Sequence, residues 1–223
     1  MQIKDIKNEI TNSFPDKLNR FTTLPILLDI LIRKALFLPG FSEWEDKNDI
    51  EFMKIYSQEQ KKDRMDSVRA ICFTWDDETI HHWKYFSDGS AGCCIEFDGK
   101  KLLSSLENFN AKILHGKVKY YKIKDIPAEI HLDELPFIKR HPYRIESEYR
   151  IVCVQENDST CNIPIELDWI NKITFNQEMP ISVLETIRKM IKSHSEIEET
   201  NHSTVFENKK FIRKISSSIT KRL

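Results

Sequence analysis

Apolar residues in this chain fall into short runs of strand length, closed by turn residues, with charged stretches of helical period between them. "RAICFTW" (69–75), "GCCIEFDG" (92–99), "KILHGKVKYYKI" (112–123), "SEYRIVCVQE" (147–156), "CNIPIEL" (161–167) and "INKITFNQ" (170–177) read as strands. "TTLPILLDILIRKALFLPG" (22–40) reads as a helix opened by threonine and proline, then a strand stopped by Pro39 and Gly40. The charged stretch 42–68 spaces Ile50, Phe52, Met53, Ile55 and Tyr56 as a loop leading into an amphipathic helix, and "SVLETIRKMIKSH" (182–194) as another. "DDETIHHWKYFSDG" (76–89) offers acidic residues for a helix start and a turn at Asp88-Gly89, giving a strand, helix, strand unit. Residues 127–146 hold three prolines and read as loop with a short helix, and "KKFIRKISSSITKRL" (209–223) as a last strand or a basic tail.

Five glycines leave few flexible joints, and no repeat is visible. The sum is a single α+β domain with a central mixed or antiparallel sheet flanked by helices. It is expected over 20–205, after a lead-in at 1–19 and before a basic C-terminal segment at 206–223.

Thirty-four basic against 35 acidic side chains give a net charge of -1, so any nucleic-acid contact must be local. Five cysteines, with no C-x-x-C pair, sit largely in apolar runs and read as reduced thiols. The N-terminus lacks an apolar leader core, and no run approaches a membrane span. A soluble cytoplasmic protein with no membrane partner is expected. There is no phosphate-binding glycine loop, dinucleotide fingerprint or nucleophile elbow. Adjacent His81 and His82 diverge on a helix, and no zinc or calcium spacing occurs, so no metal ligands are assigned.

The chemistry-bearing candidates lie at strand ends. Thr74 stands at the exit of one strand; Trp83 and Tyr85 fall late in the following helix, as core residues or as pocket lining. Glu146 and Glu148 flank Ser147, with Arg144 and Arg150 beside them. Strand alternation sets 146, 148, 150 and 152 on one face. The glutamates then form either an exposed ion-pair ladder worth about 0–1 kcal/mol per pair, or a rim at which Glu148 meets a ribose hydroxyl and a cationic sugar transition state.

Three segments, "LLDILIRKALFLPGFSEWEDKND", "ICFTWDDETIHHWKYFSDGSAGCCIEF" and "KRHPYRIESEYRI", resemble in order and content the bacterial family catalogued as domain of unknown function 2971, across residues 20–192. Tyr143 stands where that family usually has tryptophan, and "NDI" where an aspartate is usually followed by proline. Many such genes neighbour phage-defence systems, which implies a toxin or defence effector and a partner protein from its operon. The chain also resembles ADP-ribosyltransferases, with Arg20 as first element, Thr74 or Tyr85 as second, and Glu148 of the E-x-E pair as third. That resemblance implies NAD as substrate: Arg20 on its phosphates or ribose, Tyr85 or Trp83 on nicotinamide, Glu148 polarising the ribose with Glu146 as helper, and a protein or nucleic-acid target. Two other classes compete. A metal-dependent nuclease would use Asp46 or Asp49, Glu146, Glu148 and Lys139. A non-catalytic sensor would use Trp44, Trp83 and the basic C-terminus to bind another chain.

Overall fold

The computed structural model describes residues 14–42, 44–60, 67–109, 111–155, 161–195, 197 and 199–219. Residues 1–13 of the expected lead-in, 61–66 of the charged stretch, 156 at the end of a strand run and 220–223 of the basic segment lie outside them. The elements run β1 (Lys17–Thr23), α1 (Leu24–Arg33), β2 (Ala35–Leu38), α2 (Lys47–Glu59), β3 (Val68–Thr74), α3 (Ile80–Tyr85), β4 (Gly92–Asp98), α4 (Gly99–Ser105), β5 (Lys112–Lys117), β6 (Lys119–Tyr121), β7 (Ile138–Arg140), β8 (Glu148–Val154), β9 (Cys161–Pro164), β10 (Ile170–Phe175), α5 (Ile181–His194), β11 (Thr200–His202) and α6 (Lys209–Ser217).

Local chemistry sets most boundaries. Pro25 opens α1, where its missing N–H costs nothing, and Lys34, left-handed at φ 50°, ends it and turns the chain into β2. Asp46 caps α2 by accepting from the Asn48 N–H. The acidic residues 76–78 precede α3 rather than opening it, because Thr79 takes the cap by accepting from the His82 N–H. "KKFIRKISS" forms neither a strand nor an irregular tail: it is helix α6, capped by Asn208. The run at 112–123 splits, β5 staying in the main sheet and β6 leaving to pair with β7 in parallel.

The main sheet has seven strands in the order β11-β10-β4-β1-β3-β8-β5. Its pairings are antiparallel except β10 with β11, so the sheet is mixed. The expected strand, helix, strand unit is divided: β3 and β4 both flank β1 and do not pair with each other. Strand β1 had no place in the sequence reading, and it crosses the boundary drawn between 19 and 20.

The sheet has a seam. β1 pairs with β4 along its whole length and β3 with β8 likewise, yet β1 and β3 meet in register only at Asn19 and Thr74. Beyond that point, the Arg20 Nη1 donates to the Cys72 carbonyl at 2.8 Å, side chain standing in for a backbone partner. The main core fills one face, where α1 contributes Leu27 and Ile30, α4 Leu102 and Leu103, and α5 Leu184, Ile187 and Ile191. On the other face a second core gathers Met53 and Tyr56 of α2 with Ala70, Val152 and Val154, and a third packs Trp83 of α3 against Phe21 and Cys94. Between these two smaller cores, over the seam, lies a cavity.

Candidate functional site

The cavity measures about 780 Å³ and is lined from both halves of the sheet: Arg20 and Phe21 from β1, Cys72 and Thr74 from β3, Glu148 and Arg150 from β8. The start of α2 adds Asp46 and Asp49, α3 adds His81, His82 and Tyr85, and the segment from Lys139 to Glu146 closes it. Ligands collect where strands part and leave side chains without a partner layer.

At its floor is a buried ion cluster centred on Arg150. The Arg150 Nε donates to Glu148 Oε1 at 2.5 Å and Nη2 to Glu148 Oε2 at 3.0 Å. Nη1 and Nη2 also take the two oxygens of Asp49 at 2.8 and 2.5 Å, and Nη1 reaches the Pro136 carbonyl at 2.8 Å. All five guanidinium donors are therefore engaged. Its Cζ lies 4.9 Å from the centroid of the Trp44 ring. Lys139 Nζ bridges Glu146 Oε2 at 2.6 Å and Glu148 Oε2 at 3.2 Å, with Asp49 Oδ2 at 3.6 Å.

Burial corrects the expected exposed ladder, and Glu148 faces the cavity from its floor rather than from an open rim. Glu146 and Glu148 are 6% and 5% exposed. Arg144 does not pair with them; it donates to the His141 carbonyl. Nor does alternation place Glu146, since β8 starts at Glu148 and Ser147, left-handed at φ 43°, reverses the chain between the two. The Ser147 carbonyl accepts from the Thr74 hydroxyl and the Trp75 N–H, and the Glu148 N–H donates to the Tyr120 hydroxyl.

The two carboxylates diverge in basicity. Burial alone would push Glu148 up, but Arg150 and Lys139 outweigh it and hold the group below the usual carboxylate range. Burial dominates at Glu146 and raises it, Lys139 offsetting only part. Glu148 is thus a fixed anion, and Glu146 can exchange a proton near neutrality. Burial also keeps the Cys72 thiol protonated beside Glu148, which disfavours a thiolate nucleophile.

Over this floor, α3 forms a wall. The His82 Nε2 must carry a proton, because it bonds the Glu146 carbonyl at 3.1 Å, and burial keeps the ring neutral. The His81 Nε2 is buried without a hydrogen-bond partner, 3.8 Å from Glu146 Oε1, and its ring tilts over Tyr85 at 4.5 Å. Tyr85 itself is 66% exposed at the cavity mouth.

Of the residues singled out from sequence, Arg20, Thr74, Tyr85, Glu146 and Glu148 line one cavity. Trp83 does not: it is 1% exposed in the third core, edge-on to Phe21, with its indole N–H donating to Glu78. Asp49 and Lys139, drawn from sequence only for a nuclease, belong to the ion cluster. Arg150 is the residue whose role the sequence reading most understated. A cation inside the apolar run "YRIVCV" was a signal that buried carboxylates had to converge on it. His81 and His82 line the cavity without forming a chelating pair.

No family model matches the chain, so the resemblance to domain of unknown function 2971 has no family match behind it. No curated protein matches it. Among solved structures, Thermus sp. 2.9 DarT in complex with NAD+ aligns with a TM-score of 0.45 at 10% identity, covering 89% of this chain and 100% of that one. The same protein in complex with ADP-ribosylated ssDNA aligns at 0.43 and 12% identity over 87% and 97% of the two chains. With carba-NAD+ it aligns at 0.42 and 10% identity over 87% and 98%.

Proposed function

We propose that the seam cavity binds NAD and that the protein cleaves its bond to nicotinamide, passing ADP-ribose to an acceptor or to water. The observation that carries this reading is the pairing, across one cavity, of Arg20 from one half of the sheet with the fixed anion Glu148 from the other. The Arg20 Nε is buried without a partner, a free donor beside a positive charge that suits a pyrophosphate or ribose oxygen. Tyr85, backed by His81, offers an aromatic platform for nicotinamide.

The carbon–nitrogen bond breaks with its electron pair leaving on the nicotinamide ring nitrogen, which becomes neutral. Positive charge then develops on the ribose carbon and ring oxygen, where Glu148 stabilises it. The acceptor's lone pair bonds to that carbon, and its proton passes to Glu146.

The nuclease reading meets an obstacle in the same cluster. Asp49, Glu146 and Glu148 do converge, but the Lys139 ammonium and the Arg150 guanidinium occupy the place between them that a divalent cation would take. In a cell, the proposed activity is that of a toxin or defence effector on a protein or nucleic-acid target.

Incubation with NAD labelled in the adenylate and the nicotinamide tests the reading. The wild type releases nicotinamide, whereas Tyr85→Ala, altering an exposed side chain, raises KM, and Glu146→Gln lowers kcat. Expression of the wild type, but not Glu146→Gln, arrests growth. If the folded wild type neither binds nor consumes NAD with any class of acceptor, the assignment is wrong.

A further inference from the structure

We infer that α6 is a surface anchor that lays the protein against an anionic lipid leaflet. The inference is independent of the NAD reading and begins with a helix none of whose residues is buried. All nine residues of α6, Lys209–Ser217, are exposed. Yet Phe211 is 66% exposed, Ile212 and Ile215 52% each, and Ile219, just past the helix end, 67%. At about 100° per residue, Phe211, Ile212 and Ile215 share one narrow face. Lys209, Lys210, Arg213 and Lys214 occupy the opposite face, and no acidic residue lies within the helix.

The two faces together specify the partner. A nucleic-acid backbone would neutralise the lysines and leave the phenylalanine and isoleucines in water. An apolar protein groove without an acidic rim, or a second copy of the helix, would cover the isoleucines and leave four cations without counter-charge. An anionic bilayer surface satisfies both at once: the apolar face enters the headgroup boundary, and the cations remain at the phosphate level. Among the described residues no helix is long and apolar enough to cross a membrane, so α6 lies on the surface and does not span it.

The basal geometry supports an anchored helix. The segment leading into α6 is tied to the domain through the Ser203 hydroxyl, which donates to Glu78, and the Glu207 N–H, which donates to Gln177. A membrane-bound α6 would hold the domain close to the lipid.

The test uses the full chain with phosphatidylcholine vesicles, with and without phosphatidylserine. Cosedimentation is expected only with phosphatidylserine, falling at least about tenfold in Lys210→Glu/Lys214→Glu and on raising the salt. It is expected to fall comparably in Phe211→Ser/Ile215→Ser, which keeps the charge, and Phe211→Trp is expected to blue-shift its emission on binding. Unchanged thermal melting shows that the variants fold. No binding to phosphatidylserine vesicles at low salt overturns the inference. So does binding indifferent to Phe211→Ser/Ile215→Ser. Tighter binding of a single-stranded oligonucleotide than of vesicles overturns it in favour of nucleic acid, and a dimer dispersed by Phe211→Ser/Ile215→Ser in favour of a second copy.

Discussion

Arg150 shows how one residue sets the terms for its neighbours. All seven residues of β8 are buried, so the guanidinium is tolerable only because each of its donors meets an acceptor. Removing one partner leaves charge stranded. Glu148→Gln is therefore expected to cost about 3–5 kcal/mol, read as a fall in the urea midpoint, and loss of activity in that variant reports on folding as much as on chemistry. Glu146→Gln is expected to cost much less, because Glu146 is the carboxylate whose charge burial already opposes. The two also differ in their pH dependence. The folded pKa of Glu146 is raised, so its contribution is full below the unfolded carboxylate value and is lost as pH rises through the folded one. Glu148 is depressed, so its contribution is present above the unfolded value and lost as pH falls through the folded one. Urea midpoints of the wild type minus those of Glu146→Gln should accordingly decline from acidic to neutral pH. A difference that rises over that window would contradict the assignment of the raised group.

At the scale of elements, the turn between Glu146 and Glu148 gives the site its shape. Ser147 is left-handed, and its carbonyl is pinned by Thr74 and Trp75, so the two glutamates approach Lys139 from different backbone directions. Ser147→Gly is expected to hold or slightly raise the melting temperature, whereas Ser147→Val, β-branched at positive φ, is expected to lower stability by at least about 1 kcal/mol. This turn also marks where sequence reasoning gave out. Periodicity and turn residues revealed α1, α5, β3, β4 and β8, because each carries its own apolar period and punctuation. Strand β1 was missed: "KLNRFTT" has only two strongly apolar residues, and its burial comes from strands distant in sequence on either side. Helix α6 was read as strand or tail because an isolated basic segment has no core to declare its period. At the site, Tyr85 and the glutamate pair stand out in the sequence at strand and helix ends and Arg20 only through the family resemblance, and all four line one cavity. Of the two readings open for Trp83 the core one holds, and Glu148 lies at the cavity floor rather than at an open rim, because side-chain direction at a left-handed turn and burial by α2 are tertiary facts.

On the scale of the whole molecule, the seam divides the sheet into β11-β10-β4-β1 and β3-β8-β5, joined in register at Asn19 and Thr74. On either side of it β1 pairs with β4 and β3 with β8 along their whole lengths, and the two smaller cores flank the gap without filling it. A ligand in the cavity would touch Arg20 on one side and Glu148 on the other, supplying the cross-links the backbone omits there. Binding to the folded state alone stabilises it by about 2.7 kcal/mol at a hundredfold excess over Kd. Because β1 and β3 meet in register at one residue pair, that protection is not spread evenly. Amide exchange of the wild type with NAD is expected to slow first and most at the facing ends of β1 and β3 and at the 146–148 turn, and little in α1 or α5, which pack on the opposite face. Arg20→Ala removes both the ligand contact and the bond to the Cys72 carbonyl, so it should speed exchange at Thr74 and Trp75 even without NAD. Uniform slowing across the sheet, or none at the seam, would show that the two halves already act as one rigid body and that NAD does not bridge them.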